Sequence, residues 1–275
     1  MDRLDVQRED GSRWQVALRR FVNPHRFSTP EHVAHEFAIL QLVEIGGIPA
    51  PRPILLDVEG EYFGVPTIVL SFLPGKPIFP TSNIGAWVGA LAGALHTVHD
   101  VTPDRYDLSA LGVYLRDGMR ERIRTDAFRS VELAADVYDV LERDLDRIDF
   151  SRPTLVHDDF WPGNTIWYRR RLQGIIDWTT AEVGDPRADV AQCRIDLTIS
   201  HDIEVAEAFR EAYERLAGRS LAHLWYFDLF RGVKAFAQYE QWLVGYHDIG
   251  LRHLLPADVG SRLRQFLTRA LAERS

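Results

Sequence analysis

Apolar and polar residues alternate over residues 4–8 and again over 13–20, on either side of Asp10-Gly11. That is the period of a half-buried strand, interrupted by a strong hairpin signal. The period then changes. Ser28-Thr29-Pro30-Glu31 predicts a helix start, with Thr29 as N-cap, Pro30 at the first helical position and Glu31 in the first turn. Val33, Phe37, Leu40 and Ile45 keep helical spacing until Gly46-Gly47 ends it. Beyond the Pro-rich stretch 48–53, strands are predicted over 54–59 and 67–71. The first part of the chain is therefore a small sheet with one helix. Phe72-Leu73-Pro74-Gly75-Lys76-Pro77 breaks the pattern and serves as a hinge between lobes at 1–73 and 74–275.

After the hinge the helical period dominates. Helices are predicted over 83–99, 115–126, 130–148, 189–200, 203–216, 225–246 and 261–273. In the first of these Gly85, Gly89 and Gly93 recur at four-residue spacing, which predicts close helix packing in a soluble core. One β-rich interval stands out. Residues 165–168 and 172–176 read as two short strands around a turn at Arg169-Arg170-Arg171.

Composition narrows the class. A chain of 275 residues, 46% hydrophobic, can fill two packed lobes. No apolar run reaches membrane-spanning length, and Met1-Asp2-Arg3-Leu4-Asp5 is not a signal peptide, so a cytoplasmic protein is expected. The single Cys193 excludes an internal disulfide and reads as a buried helix residue. A net charge of −8 argues against a general nucleic-acid binder and suits a cationic small molecule.

The chemistry concentrates in Leu155-Val156-His157-Asp158-Asp159-Phe160-Trp161-Pro162-Gly163-Asn164, followed by Ile175-Ile176-Asp177-Trp178. Protein kinases use an ordered set of this kind, H-x-D-x-x-x-x-N followed by a metal-binding Asp. A hydroxyl nucleophile needs a carboxylate near its proton, a role for Asp159. Phosphates gripped by Mg²⁺ need oxygen ligands, which Asn164 and Asp177 supply. A hairpin over 165–176 would bring Asp177 back beside Asn164. Taken singly, His157 or Asp159 would pass for residues of a solvated polar loop; the ordered set with its apolar flanks does not. His157 is read as structural, a hydrogen-bonding support for the loop.

This segment resembles the catalytic region of the aminoglycoside phosphotransferase and choline kinase family. The likeness runs from about Leu4 to the end, strongest over 155–189 and loose in the last helices. It implies an α+β, bilobal protein-kinase-like fold, with a small β-sheet plus helix N-lobe and a larger, mostly helical C-lobe. It also implies an ATP- or GTP-dependent enzyme using Mg²⁺, moving the γ-phosphoryl group to a small-molecule hydroxyl, with no nucleic-acid or membrane partner, as monomer or homodimer. Val16-Ala17-Leu18-Arg19 resembles the family strand whose basic residue holds nucleotide phosphates, with Glu36 as its partner and Arg20 as the competing choice on the opposite face. Ser71 and Leu73 fall where backbone groups would meet the purine. Gly184-Asp185-Pro186-Arg187-Ala188-Asp189 resembles the family's G-D-P-x-x-D stretch, with Asp189 at a helix start supporting the catalytic loop. Glu240, Trp242, Tyr246 and Asp248 gather aromatic and acidic side chains fit for a cation or sugar-like acceptor.

Two departures matter. The family's first strand and phosphate-covering Gly-rich loop are missing ahead of Arg13, and Asp158 stands where Gly is usual. The first supports a second reading, a degenerate kinase-like nucleotide-binding module with little or no turnover. A third, a metal-dependent phosphohydrolase, draws on the pairs His99-Asp100, His157-Asp158, His201-Asp202 and His247-Asp248; it needs an all-helical metal cage, whereas His157 lies against strands.

Overall fold

The computed structural model describes residues 2–7, 10–22, 29–126, 128 and 134–274. Strands β1 (Asp2–Gln7) and β2 (Arg13–Arg20) pair antiparallel across the Asp10-Gly11 turn, where Gly11 has φ +81° and Asp10 Oδ1 accepts the Ser12 N–H at 2.8 Å. With β3 (Pro53–Asp57) and β4 (Thr67–Ser71) they form a four-stranded sheet in the order β1-β2-β4-β3. Strand alternation sorts the side chains of β2. Val16 and Leu18 join Val69 and Phe63 on one face, while Ala17 packs with Ile68 and Leu70 into the core that holds Val33, Ile39, Leu40 and Val43 of helix α1 (Pro30–Ile45). Arg19 shares the face of Ala17. Strand β3 stops at Asp57 because its carboxylate turns to accept the N–H groups of Glu61, Tyr62 and Phe63.

The segment predicted as a hinge is tied down by Lys76 and Trp167, which exchange backbone hydrogen bonds of 3.1 and 3.0 Å. Gly75, at φ +120°, lies so close that a Cβ would collide with the Trp167 carbonyl.

The C-terminal part is built on helices α2 (Ile84–His99), α3 (Arg116–Thr125), α4 (Ala134–Asp144), α5 (Pro186–Ser200), α6 (Ile203–Ala217), α7 (Leu224–Asp248) and α8 (Pro256–Ala272). Every residue of α5 is buried. Its polar side chains are matched in place: Arg187 with Asp185, and Arg194 with Asp228 and Glu207. Three strands of two or three residues, β5 (Val113–Tyr114), β6 (Thr154–Val156) and β9 (Glu182–Gly184), form a small sheet ordered β5-β9-β6, too short for a period-2 signal. The hairpin β7 (Thr165–Tyr168) and β8 (Arg171–Ile175) turns on two residues, Arg169 and Arg170, both at positive φ.

Several boundaries differ from expectation. Helix α5 begins at Pro186, capped by Asp185, so Asp189 lies inside it. Helix α8 begins at Pro256, five residues ahead of 261, again with Pro in the first turn. The span predicted as one helix over 130–148 is α4 plus a 3₁₀ turn at Leu145–Arg147, and residues 130–133 lie outside the described residues. The glycine stripe of α2 is also corrected: a Cβ at Gly85, Gly89 or Gly93 would meet nothing within 4 Å, so these glycines serve no close packing.

Candidate active site

The loop after β6 is held from behind by Asp189. Its carboxylate is fully buried and accepts the N–H of His157 at 2.7 Å and of Asp158 at 2.8 Å, with His99 Nε2 3.1 Å away. Burial works against its charge. The hydrogen bonds from His99 and from the His157 N–H outweigh it and hold Asp189 below its ordinary value. The residue supports the loop from within α5, and not as the helix cap expected from sequence.

His157 is buried and hydrogen-bonded at both nitrogens. Nδ1 accepts from the Asp159 N–H at 3.3 Å, so Nε2 carries the hydrogen and donates to the Ile176 carbonyl at 3.0 Å. Asp158, between them, adopts φ +62°, the left-handed conformation that explains why Gly is usual there. Its carboxylate pairs with the buried Arg231 of α7.

The turn at Pro162-Gly163-Asn164 presents Asn164, whose Nδ2 donates to both the carbonyl and Oδ2 of Asp159 at 2.9 Å. The amide oxygen has no partner among the described residues. The Ile176 N–H bonds the Asn164 carbonyl at 2.8 Å, so the hairpin returns Asp177 beside Asn164 as its length required. Asp177, at φ +64°, is half-exposed and engages Thr179 and Arg19 through Oδ1, while Oδ2 has no partner among the described residues. Asp159 is half-buried. Burial, and secondarily the Asp177 charge, raise its pKa, while His157, Asn164 and Arg231 oppose the rise. A carboxylate raised in this way is a better proton acceptor.

Two cavities flank this loop. One, of about 230 Å³, lies under the sheet between Ala17, Leu70, Ile166 and Ile176, with Arg19, Glu36, Ser71, Leu73 and Asp177 on its wall. Arg19 Nε is 3.0 Å from Glu36 Oε1. Glu36 is buried, which lifts it to about 7 against the pull of Arg19. Arg20 faces away and pairs with Asp2 on the surface, as strand alternation dictates. In the hinge, the N–H groups of Ser71 and Phe72 are taken by Arg52 and Gln15, whereas that of Leu73 has no partner among the described residues. The second cavity, of about 450 Å³, is bounded by Asp159, Trp161, Asp196, Arg231, Lys234 and Trp242.

The donor set fits Mg²⁺. Asn164 Oδ1 and Asp177 Oδ2 are free oxygen donors on adjoining segments, and Mg²⁺ habitually takes one or two carboxylates and completes its shell with phosphate and water. Among the described residues no group of three or more His, Cys, Asp and Glu could hold a metal. The histidines behind the phosphohydrolase reading are engaged separately, His99 with Tyr213, His157 with Ile176, His201 with Pro80 and His247 with Leu254.

Of the residues expected at the acceptor, Trp242 and Tyr246 line the second cavity, whereas Glu240 and Asp248 are exposed and outside its wall. Sequence reasoning missed Asp196, Arg231 and Lys234. Their signal was present: each is a charged residue flanked by apolar neighbours in a helical segment.

The bilobal fold with its interlobe cleft is that of a kinase-like phosphotransferase. A model of the phosphotransferase enzyme family matches residues 2–225, and the chain belongs to that family. The chain is 24% identical over 213 residues to acyl-CoA dehydrogenase family member 10 of Mus musculus, an alignment covering 72% of this chain. It spans only 20% of that relative's length. Among solved structures it resembles a putative aminoglycoside phosphotransferase of Ralstonia eutropha JMP134, with TM-score 0.67 and 15% identity over 94% of this chain and 85% of that one. It also resembles an amicoumacin kinase in complex with AMP-PNP and Ca²⁺, with TM-score 0.61 and 15% identity over 98% and 84%. No helix among the described residues is long and apolar enough to cross a membrane.

Proposed function

We propose that the chain transfers the γ-phosphoryl group of ATP or GTP to a hydroxyl of a small molecule. The observation that carries this reading is the position of the loop. Asp159 faces the larger cavity, Asp177 faces the smaller one, and Asn164 is hydrogen-bonded to Asp159 between them. The purine would lie in the smaller cavity against Ala17, Leu70 and Ile176, with the free Leu73 N–H as its hydrogen-bond donor. Arg19 would engage the phosphates, held in place by Glu36.

In the reaction Asp159 accepts the proton of the acceptor hydroxyl as its oxygen bonds to the γ-phosphorus. The bond from that phosphorus to the β,γ-bridging oxygen breaks, and the nucleoside diphosphate leaves with the electron pair. Mg²⁺ held by Asn164 and Asp177 would neutralise phosphate charge. His157 and Asp189 keep the loop in register and stay out of the chemistry.

The test is a thermal-shift titration with Mg·ATP and Mg·GTP, followed by turnover assays on hydroxylated compounds. A nucleotide present at a hundredfold its Kd should add roughly 2.7 kcal/mol of stability. Absence of any nucleotide response would overturn the reading. A response without turnover of any acceptor would favour the degenerate nucleotide-binding module instead.

A further inference from the structure

The wall of the larger cavity holds one cation without a partner among the described residues, and that cation points to the acceptor. The acids of this wall are already matched. The Asp158 carboxylate pairs with Arg231, Asp196 accepts from both the Tyr246 hydroxyl and Gln192, and Asp159 is bonded to Asn164 and faces the acceptor hydroxyl. Of the wall's two cations, Arg231 is taken by Asp158 and Lys234 is left over. Lys234 is half-buried on the cavity wall and has no hydrogen bond or ion pair among the described residues. Arg231, one helical turn earlier on α7, is 5% exposed, and its Nε is buried without a partner. Burial first, then the charges of Arg231 and Arg122, press the Lys234 ammonium to give up its proton, and Asp158 and Asp126 only partly oppose this. A cationic acceptor would meet Lys234 without a counter-ion and would find every wall carboxylate but the base already engaged.

Resting on the phosphotransferase reading, we propose that the acceptor carries an anionic group, a carboxylate or a phosphate, held by Lys234 and Arg231 while its hydroxyl faces Asp159. The remaining wall, Trp161 and Trp242, offers flat apolar surface for the body of such a molecule. The cationic acceptor suggested by net charge gives way to an anionic one, because the group left without a partner on this wall is the Lys234 ammonium. An arriving anion supplies the counter-charge that Lys234 lacks.

The experiment compares hydroxybutyrate, glycerol phosphate, butanediol and choline as acceptors with Mg·ATP, in the wild-type chain and in Lys234→Gln. The expected result is preference for one of the two anionic alcohols, and which one is favoured separates carboxylate from phosphate. Lys234→Gln should raise the KM for that alcohol about 10- to 100-fold, the scale of a hydrogen bond to a charged group, and leave the KM for ATP unchanged. In parallel, acylation of Lys234 by an amine-reactive reagent, read by peptide mass spectrometry, should be slowed by the anionic alcohols and not by choline. Preference for choline or butanediol, or anionic alcohols that are neither turned over nor protect Lys234, would overturn the proposal. Protection of Lys234 with no nucleotide consumed would instead sink the phosphotransferase reading and leave the anion site standing.

Discussion

Arg19 Nη2 lies 3.0 Å from Asp177 Oδ1, joining strand β2 to the segment that follows the β7–β8 hairpin across the smaller cavity. The same guanidinium reaches buried Glu36, so one side chain spans two carboxylates. Removing it should cost nucleotide affinity more than chemistry. Arg19→Met is expected to raise the KM for ATP roughly 10- to 100-fold, the loss of one or two charge-assisted hydrogen bonds. Arg19→Lys should recover only part, because an ammonium lacks the planar fork that contacts both partners. Initial rates across ATP concentrations check this; an unchanged KM in Arg19→Met would remove Arg19 from the nucleotide site.

Asp159 should separate binding from chemistry. Asp159→Asn keeps the side-chain oxygen that accepts from Asn164 but cannot take a proton. Its kcat is expected to fall ~10²- to 10⁴-fold, the usual scale for a positioned general base. Thermal stabilisation by Mg·ATP should persist. Near-full activity would show that another group, or none, receives the hydroxyl proton.

Legibility in the sequence followed the range of the interaction. Thr29-Pro30, Asp10-Gly11 and the alternation of β2 are local signals, and the structure follows them. The proximity of Asp159, Asn164 and Asp177 was legible because the three flank one short hairpin, whereas Glu36 needed the family resemblance to be linked to Arg19. The glycine stripe on α2 misled because spacing marks a face without saying what covers it. Lys234 and Arg231 were hidden for a similar reason. A charge in an apolar helix is conspicuous, but only the packing of α7 against α5 and the catalytic loop shows which cavity it faces. Strands β5, β6 and β9 are too short to carry a period.

Asp158 presents two opposing effects of different size. Its left-handed backbone would be relieved by glycine, a gain of about 1–2 kcal/mol. Its carboxylate, however, is the partner of a buried guanidinium, and removing one member of such a pair costs about 3–5 kcal/mol. Asp158→Gly is therefore expected to destabilise the protein by roughly 1–4 kcal/mol in denaturant titrations. Combining it with Arg231→Met should restore much of the loss, since no uncompensated charge is then buried. If the single variant proves more stable than wild type, the ion pair contributes less than the backbone strain.

Gly75 combines a positive φ with contact against the Trp167 carbonyl. Alanine there must either accept strain, about 1–3 kcal/mol, or push the hinge away from β7. The second route breaks the paired hydrogen bonds between Lys76 and Trp167. Gly75→Ala should lower both the melting temperature and the affinity for ATP, because Leu73 and Asp177 then sit on segments that no longer hold their spacing. Lower stability with intact nucleotide affinity would confine the effect to local strain.

Asp196 sets a pH dependence that can be tested without a substrate. Burial lifts its pKa from an ordinary 3.8 to about 7, opposed by the hydrogen bonds from Tyr246 and Gln192. Between those two values the folded protein keeps the proton and the unfolded chain releases it. The unfolded state therefore binds fewer protons across that window, and stability falls as pH rises. The contribution is fully present below the ordinary carboxylate value, declines through the window and levels off above about 7. Glu36 and Glu182 are lifted in the same direction, so the wild-type profile is a sum. Asp196→Asn isolates one member of it, because an amide neither binds nor releases the proton. Between about pH 5 and about pH 8 the variant should lose less thermal stability than wild type. Equal losses would mean that Asp196 is ionised in the folded protein throughout that range.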